Sequence, residues 1–317
     1  MRVLVTGATG YVGSRLIPEL LEAGHEVHAA VRKEGKVEDY PWGSQVTPRL
    51  FDIEKPDLIR SAVRGVDAVI YLVHSMEDDD FAQKDLDAAR CTASACEQTG
   101  VQRIVYLSGL VPDGELSEHL ASRQQVEQVF LDSSVPATVL RAAMVIGAGS
   151  TSFEILKRLI ERVPVTPIPA WMQSQLQPVA IEDVIHLVAC ALEGEPHNRH
   201  YDVGGDEVVS YPELLDTMAD VVGVRRRQFI LPWAPHMLVG WIVAWLTGMP
   251  RPTVTSLVES LTKDMVCRED DVRRELVEPD HEFVSLVDSF KRSIAEGGPD
   301  GTSRDGDPQA RAVTDPA

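Results

Sequence analysis

Gly7, Gly10 and Gly13 stand three residues apart in the opening stretch MRVLVTGATGYVG. The apolar run Val3-Leu4-Val5 before them reads as a short buried strand over Arg2 to Thr6, and a helical pattern starts at about Tyr11. Each glycine has a physical task. Gly7 turns the chain out of the strand, Gly10 keeps side chains clear of an approaching pyrophosphate, and Gly13 lets helix and strand pack closely. The loop residues Thr6, Tyr11 and Val12, with the backbone amides and the positive end of the helix dipole, then surround the phosphates. Glycines alone also punctuate ordinary turns. A triplet that follows a strand and opens a helix points to a dinucleotide site.

Other candidates sit at the ends of the strands that follow. Arg32 and Lys33 close the second strand, Glu26 to Val31, where an acidic residue would bind the ribose hydroxyls of NAD. A cationic pair suits a 2′-phosphate instead, which favours NADP(H) over NAD(H), although a solvated surface pair would look the same. Asp52 follows a third strand, Val46 to Phe51. It can accept from an adenine amino group, cap a helix over Lys55 to Arg64, or do both. His74 ends a fourth strand, Asp67 to Val73, before Ser75, Met76 and an acidic turn, Glu77 to Asp80. A fifth strand, Gln102 to Leu107, ends at Ser108. In a doubly wound sheet these ends line the ligand crevice.

Helices are expected over Tyr11 to Ala23 with Pro18 as a kink, Asp80 to Thr99, Ser117 to Leu131 and Phe153 to Arg162. Pro136 to Arg141 is a sixth strand. The alternation predicts an α/β fold, a doubly wound parallel sheet of the Rossmann kind with a small C-terminal substrate lobe. The expected division is a core at 1–145, a lobe interleaved with the last strands at 146–295, and a disordered tail at 296–317. In the lobe, Val163 to Pro169 reads as loop, Gln177 to Ala180 and His200 to Val203 as strands, and Ser210-Tyr-Pro-Glu213 as a capping box.

The 317 residues carry a net charge of −19. That excludes a nucleic-acid surface and argues against docking on anionic lipid by overall charge. Cys91, Cys96, Cys190 and Cys267 show no metal-ligand spacing and read as reduced thiols of a cytoplasmic protein. The chain opens on a strand, so no signal peptide is expected. Arg225 to Arg227 fit a substrate anion or a solvated strand edge. Trp233 to Leu246 is the most apolar stretch, too short and too broken by Pro235 and His236 to span a bilayer. It is expected to be a buried or subunit-interface helix, with peripheral membrane contact as the alternative.

With TGATGYVG at the start, Asp52 after the third strand and YLSG ending the fifth, the chain resembles the short-chain dehydrogenase/reductase superfamily. More narrowly it is similar to the atypical NAD(P)-binding branch. That branch holds NmrA-like proteins and relatives of the nucleotide-binding accessory subunit of respiratory complex I. Catalytic members of the wider superfamily place a Tyr-x-x-x-Lys pair on the helix after the fifth strand, where i and i+4 share a face. No tyrosine here has a lysine four residues on; the corresponding stretch reads His119-Leu-Ala-Ser-Arg123, with Glu127 one turn later. Ser108 matches the family's serine. The resemblance implies a reductase of a small carbonyl, enone or quinone, with Ser108 and His119 orienting and protonating the oxygen and Arg123 on the ribose. It equally allows a dinucleotide-binding sensor or assembly module without turnover. His119 is expected to titrate near neutrality unless Arg123 holds it neutral, and His119 and Arg123 could instead both lie on a solvent-facing or ion-paired face with Glu127.

Overall fold

A computed structural model of the chain describes residues 1–74, 80–295, 307–312 and 315. Six strands alternate with helices through its first half: β1 (Arg2–Val5), α1 (Tyr11–Glu22), β2 (Glu26–Val31), β3 (Thr47–Leu50), α2 (Pro56–Val63), β4 (Ala68–Tyr71), α3 (Phe81–Thr99), β5 (Arg103–Gly109), α4 (Glu118–Leu131) and β6 (Ala137–Ala142). The second half adds β7 (Val145–Ile146), α5 (Thr151–Arg162), β8 (Val165–Pro169), β9 (Gln175–Leu176), β10 (Val179–Ala180), α6 (Ile181–Glu193), β11 (Arg199–Val203), β12 (Val209–Ser210) and α7 (Tyr211–Val222). It ends with β13 (Arg227–Leu231), α8 (His236–Thr247), α9 (Arg251–Ser260), α10 (Asp271–Glu275) and α11 (Leu286–Ile294).

Seven strands form one parallel sheet in the order β11-β6-β5-β4-β1-β2-β3. Both faces are covered at its centre, so β1 beyond Arg2 and β4 read as unbroken apolar runs. Val3 and Val5 of β1 pack with α1 and α6 on one face, while Leu4 packs with α2 and α3 on the other. The order reverses between β1 and β4, and the crevice at that switch point is where such sheets take ligands. β11, from the second half, completes the sheet beside β6.

The remaining elements form a cap with its own apolar cluster, in which Phe153, Leu156, Leu214, Met218 and Phe290 meet. α5 starts from Ser150, whose Oγ accepts from the Phe153 amide at 3.2 Å. The expected capping box is present: Ser210 caps α7 and Glu213 returns a bond to the Ser210 amide at 2.7 Å.

The structure differs from the sequence expectations at four places. Val163 to Pro169 is not loop, because Val165–Pro169 pairs in parallel with β13. That sheet has two strands, both edges, so the missing N–H groups of its prolines break no ladder. α2 begins at Pro56 with Lys55 as its uncapped N-cap, so Asp52 does not cap it. Trp233, Trp241 and Trp245 are not buried: they stand 81%, 47% and 74% exposed. Finally, residues 307–312 and 315, within the expected disordered tail, pack against the core, with Gln309 fully buried. The acidic turn expected at Glu77 to Asp80 lies, up to residue 79, outside the described residues.

Candidate functional site

The N-cap of α1 is Gly10, which makes no side-chain bond to the first turn. The amides of residues 11–13 have no acceptor inside their helix and suit an external anion. The backbone around them leaves no room for side chains. A Cβ on Gly13 would lie 2.3 Å from the Gly7 carbonyl oxygen and 2.9 Å from Ala8 Cα, and one on Gly10 would lie 3.1 Å from the same oxygen. Gly7 has φ 66°, the left-handed conformation that favours glycine. This cradle fits a pyrophosphate.

The loop is braced by two aromatic residues that sequence reasoning missed. Tyr40 Oη donates to the Thr9 carbonyl at 2.7 Å and Trp42 Nε1 donates to the Ser14 carbonyl at 3.0 Å, with the two rings stacked at 4.6 Å. Their signal was a Tyr-x-Trp pair in a polar segment, an apolar body with a polar tip. Thr6 is buried, and its Oγ1 accepts from the Leu72 amide at 3.0 Å, tying β1 to the end of β4. Arg32 and Lys33 are exposed at the end of β2. Asp52 accepts from the Glu54 amide at 3.1 Å and pairs with Lys55 at 2.8 Å. Lys55 foremost, with Arg32 adding a smaller charge effect, holds its carboxyl below the usual range.

A second group gathers where β5 meets α4. Ser108 ends β5 with 1% exposure, and its Oγ has no hydrogen-bond partner among the described residues. Ser117 caps α4, accepting from the Leu120 amide, and so directs the first turn of α4 toward that strand end. His119 and Arg123, one turn apart, line the same cavity as Ser108. Arg123 donates to the Leu107 carbonyl at 3.4 Å and has no ion pair among the described residues. His74, from the end of β4, lies behind His119 with ring centroids 4.5 Å apart. Its Nδ1 is 3.4 Å from the buried carboxylate of Asp85 on α3.

Burial first, then the Arg123 charge, pushes both histidines down to about 2. His119 therefore does not titrate near neutrality, as one sequence expectation had it. It is a neutral imidazole, able to donate one N–H but not to act as an imidazolium. The ion-paired face with Glu127 is also absent. Glu127 turns to β6 and binds Arg141 through two bonds of 2.6 and 3.0 Å.

The glycine loop and the Ser108 group border one cavity of about 740 Å³. Its far walls are apolar, made by Ile155 and Leu159 of α5, Val239 and Val243 of α8, and Val254 of α9. Behind the loop, Arg15 of α1 is buried in an ion pair with Asp315, with an Nη1 to Oδ1 distance of 2.8 Å. Gln309 donates to the Ile146 carbonyl at 3.1 Å. A polar C-terminal segment thus fills the seam between α1 and the cap, a role its composition does not signal.

Residues 7–163 match a family described as NAD(P)H-binding. Residues 7–163 thus form an NAD(P)H-binding domain of that family. The resemblance to the atypical short-chain dehydrogenase/reductase branch is borne out by its relatives. Subunit 9 of the NADH dehydrogenase [ubiquinone] 1 alpha subcomplex from Arabidopsis thaliana is 25% identical, with 93% of this chain and 78% of the relative covered. A ceramide reductase of Caulobacter vibrioides is 26% identical, covering 80% of this chain and 81% of its own. Among solved structures, an NADPH-dependent quinone oxidoreductase of Escherichia coli complexed with NADPH superposes with a TM-score of 0.74 at 20% identity, covering 91% of this chain and 98% of that one.

Proposed function

We propose that the protein is an NADPH-dependent reductase of a carbonyl, enone or quinone carried on an apolar body. The observation behind this reading is that the glycine loop and the polar trio Ser108, His119 and Arg123 share the wall of one largely apolar cavity. The α1 amides and the glycine loop would hold the pyrophosphate, Arg32 the 2′-phosphate, and Asp52 the adenine. When bound, NADPH supplies a hydride for the electrophilic carbon of the substrate. Ser108 and the neutral His119 then donate hydrogen bonds to the substrate oxygen. Arg123, always a cation and half-buried beside them, stabilises the negative charge that grows there. A solvent proton completes the hydroxyl. A ceramide reductase among the relatives and an NADPH-bound quinone oxidoreductase among the structural neighbours support this class.

The test is NADPH fluorescence on binding, followed by NADPH oxidation against short quinones, enones and ketones. Saturable binding and turnover of at least one class are expected. Tight binding with no turnover on any class would replace this reading with a sensor or assembly module. One observation favours that alternative: His119, where the family places its tyrosine, is held too far below neutrality to give up a proton as an imidazolium.

A further inference from the structure

Two faces of α8 meet different surroundings. Leu238, Val239, Ile242, Val243 and Leu246 line the cavity. Trp241 and Trp245 do not line it, and with Trp233, Met237, Phe229 and Ile230 they place six large apolar side chains within residues 229–245 that are exposed by 47% to 81%. Leu238 and Ile242 belong to both, being 50% and 40% exposed while lining the cavity, so its mouth lies within this surface. Exposed large apolar side chains concentrated in this way mark a contact site.

Charge identifies the contact. The chain as a whole is strongly acidic, with 49 Asp and Glu, yet residues 221–258 contain neither and carry four arginines. Arg225 and Arg227 are exposed at the start of β13, and Arg251 lies over the Trp241 ring at 5.6 Å. The overall charge argued against anionic lipid, but the charge is unevenly spread, and the longest segment free of carboxylates is the one that exposes tryptophan. Tryptophans flanked by arginines suit the boundary between phospholipid headgroups and acyl chains. No helix among the described residues is long and apolar enough to cross a membrane, and α8, with 12 residues, suits lying along the surface.

We propose that the exposed face of β13 and α8 docks on an anionic lipid bilayer, and that the substrate is a lipid whose apolar tail enters the cavity past Leu238 and Ile242. The docking stands on the surface itself; the substrate class rests on the reductase reading. A head group reaching Ser108 and His119 leaves its tail among the apolar walls of α5, α8 and α9, continuous with the membrane.

The full-length protein is incubated with vesicles of phosphatidylcholine alone and with phosphatidylglycerol added, and bound protein is measured by flotation. Salt-sensitive binding to the anionic vesicles, with blue-shifted tryptophan emission, is expected. The double substitution Trp233→Ser, Trp245→Ser weakens it about tenfold or more, and Arg225→Glu, Arg227→Glu removes the preference for anionic lipid. Both variants keep NADPH binding and turnover of a short, water-soluble substrate. A long-chain quinone or ketone is reduced faster from anionic vesicles than from neutral ones, and the tryptophan variant loses that gain. Absence of vesicle binding overturns the docking while short-substrate turnover leaves the reductase standing. A dimer that survives dilution and shields the tryptophans without lipid overturns it in favour of a second copy. Vesicle binding without turnover of any substrate supports the docking and overturns the lipid substrate together with the reductase.

Discussion

α1 and α8 each have twelve residues and border the same cavity, but they are held in opposite ways. α1 has an apolar stripe, and its Leu16, Ile17 and Leu20 are fully buried between the sheet and α6. α8 is apolar nearly all round, and buries only Gly240, Ala244 and Thr247. Periodicity tells α1 which face turns inward. In α8 size decides instead: Gly240 and Ala244, four residues apart, let α9 approach closely, and the tryptophans are left outside. Expecting the largest apolar side chains to be buried was therefore the wrong guide to this helix.

The sharpest way to break that comparison is to place the same side chain on each helix. Gly13→Val drives a Cβ against the Gly7 carbonyl oxygen, backbone that cannot step aside. It should cost at least about 3 kcal/mol and abolish NADPH binding in whatever protein folds. Gly240→Val meets Thr255 Oγ1 at 3.1 Å, a side chain that can rotate, though Thr255 Cα is also close at 3.2 Å. It should cost about 1–2 kcal/mol and leave NADPH binding intact. Thermal melts and a fluorescence titration read both. Equal losses would mean that α8 is as integral to the fold as α1.

His119→Phe comes next. Loss of one positioned donor should lower turnover by about a hundredfold while NADPH affinity holds. The variant also changes the response to acid. His74 and His119 are held neutral in the folded protein, whereas unfolded histidine takes a proton below about 6.5. Their contribution to stability is therefore complete above that pH and is lost as pH falls toward about 2. Asp183, raised to about 7 by burial, slopes the other way between 3.8 and 7, so the variant is compared with the wild type. Urea midpoints at pH 7 and pH 5 should fall less in His119→Phe. An equal fall would show that the ring meets water.

These outcomes also indicate how far the sequence could be read. The sheet half was legible because local rules act there without competition. Glycines at set spacing, apolar runs and the helix start at Ser117 each have a short-range cause. The cap was harder to read, since the β8–β13 pair joins segments about sixty residues apart and hides behind prolines. The site divides along the same line. The glycine loop shows in thirteen consecutive residues. The approach of His74 to His119 and of Asp85 to His74 joins three separate elements, and no spacing encodes it. Glu127 turned to Arg141 because a buried carboxylate needs its own cation, which helical spacing from His119 could not foretell.

Arg32→Asp tests the first region's chemistry at lower cost to the fold, because the side chain is exposed. Replacing a cation with an anion beside a 2′-phosphate should weaken NADPH by about tenfold or more and leave NADH nearly unchanged. Equal losses would remove Arg32 from the phosphate site, and a gain in NADH affinity alone would point to the ribose hydroxyls.

The smallest effect belongs to Ser210→Ala at the start of α7, in the cap. Ser210 Oγ accepts from the Glu213 amide at 3.4 Å, and Glu213 Oε2 accepts from the Ser210 amide at 2.7 Å. Removing the hydroxyl leaves one first-turn amide to water and should cost about 1 kcal/mol. α7 packs through Leu214, Leu215 and Met218 into the cap cluster, apart from the sheet. If the cap and the sheet unfold together, that loss appears as one shifted transition by both far-UV dichroism and NADPH release. If the cap melts first, tryptophan emission shifts at a lower temperature than NADPH release, and the two regions are then separate cooperative units.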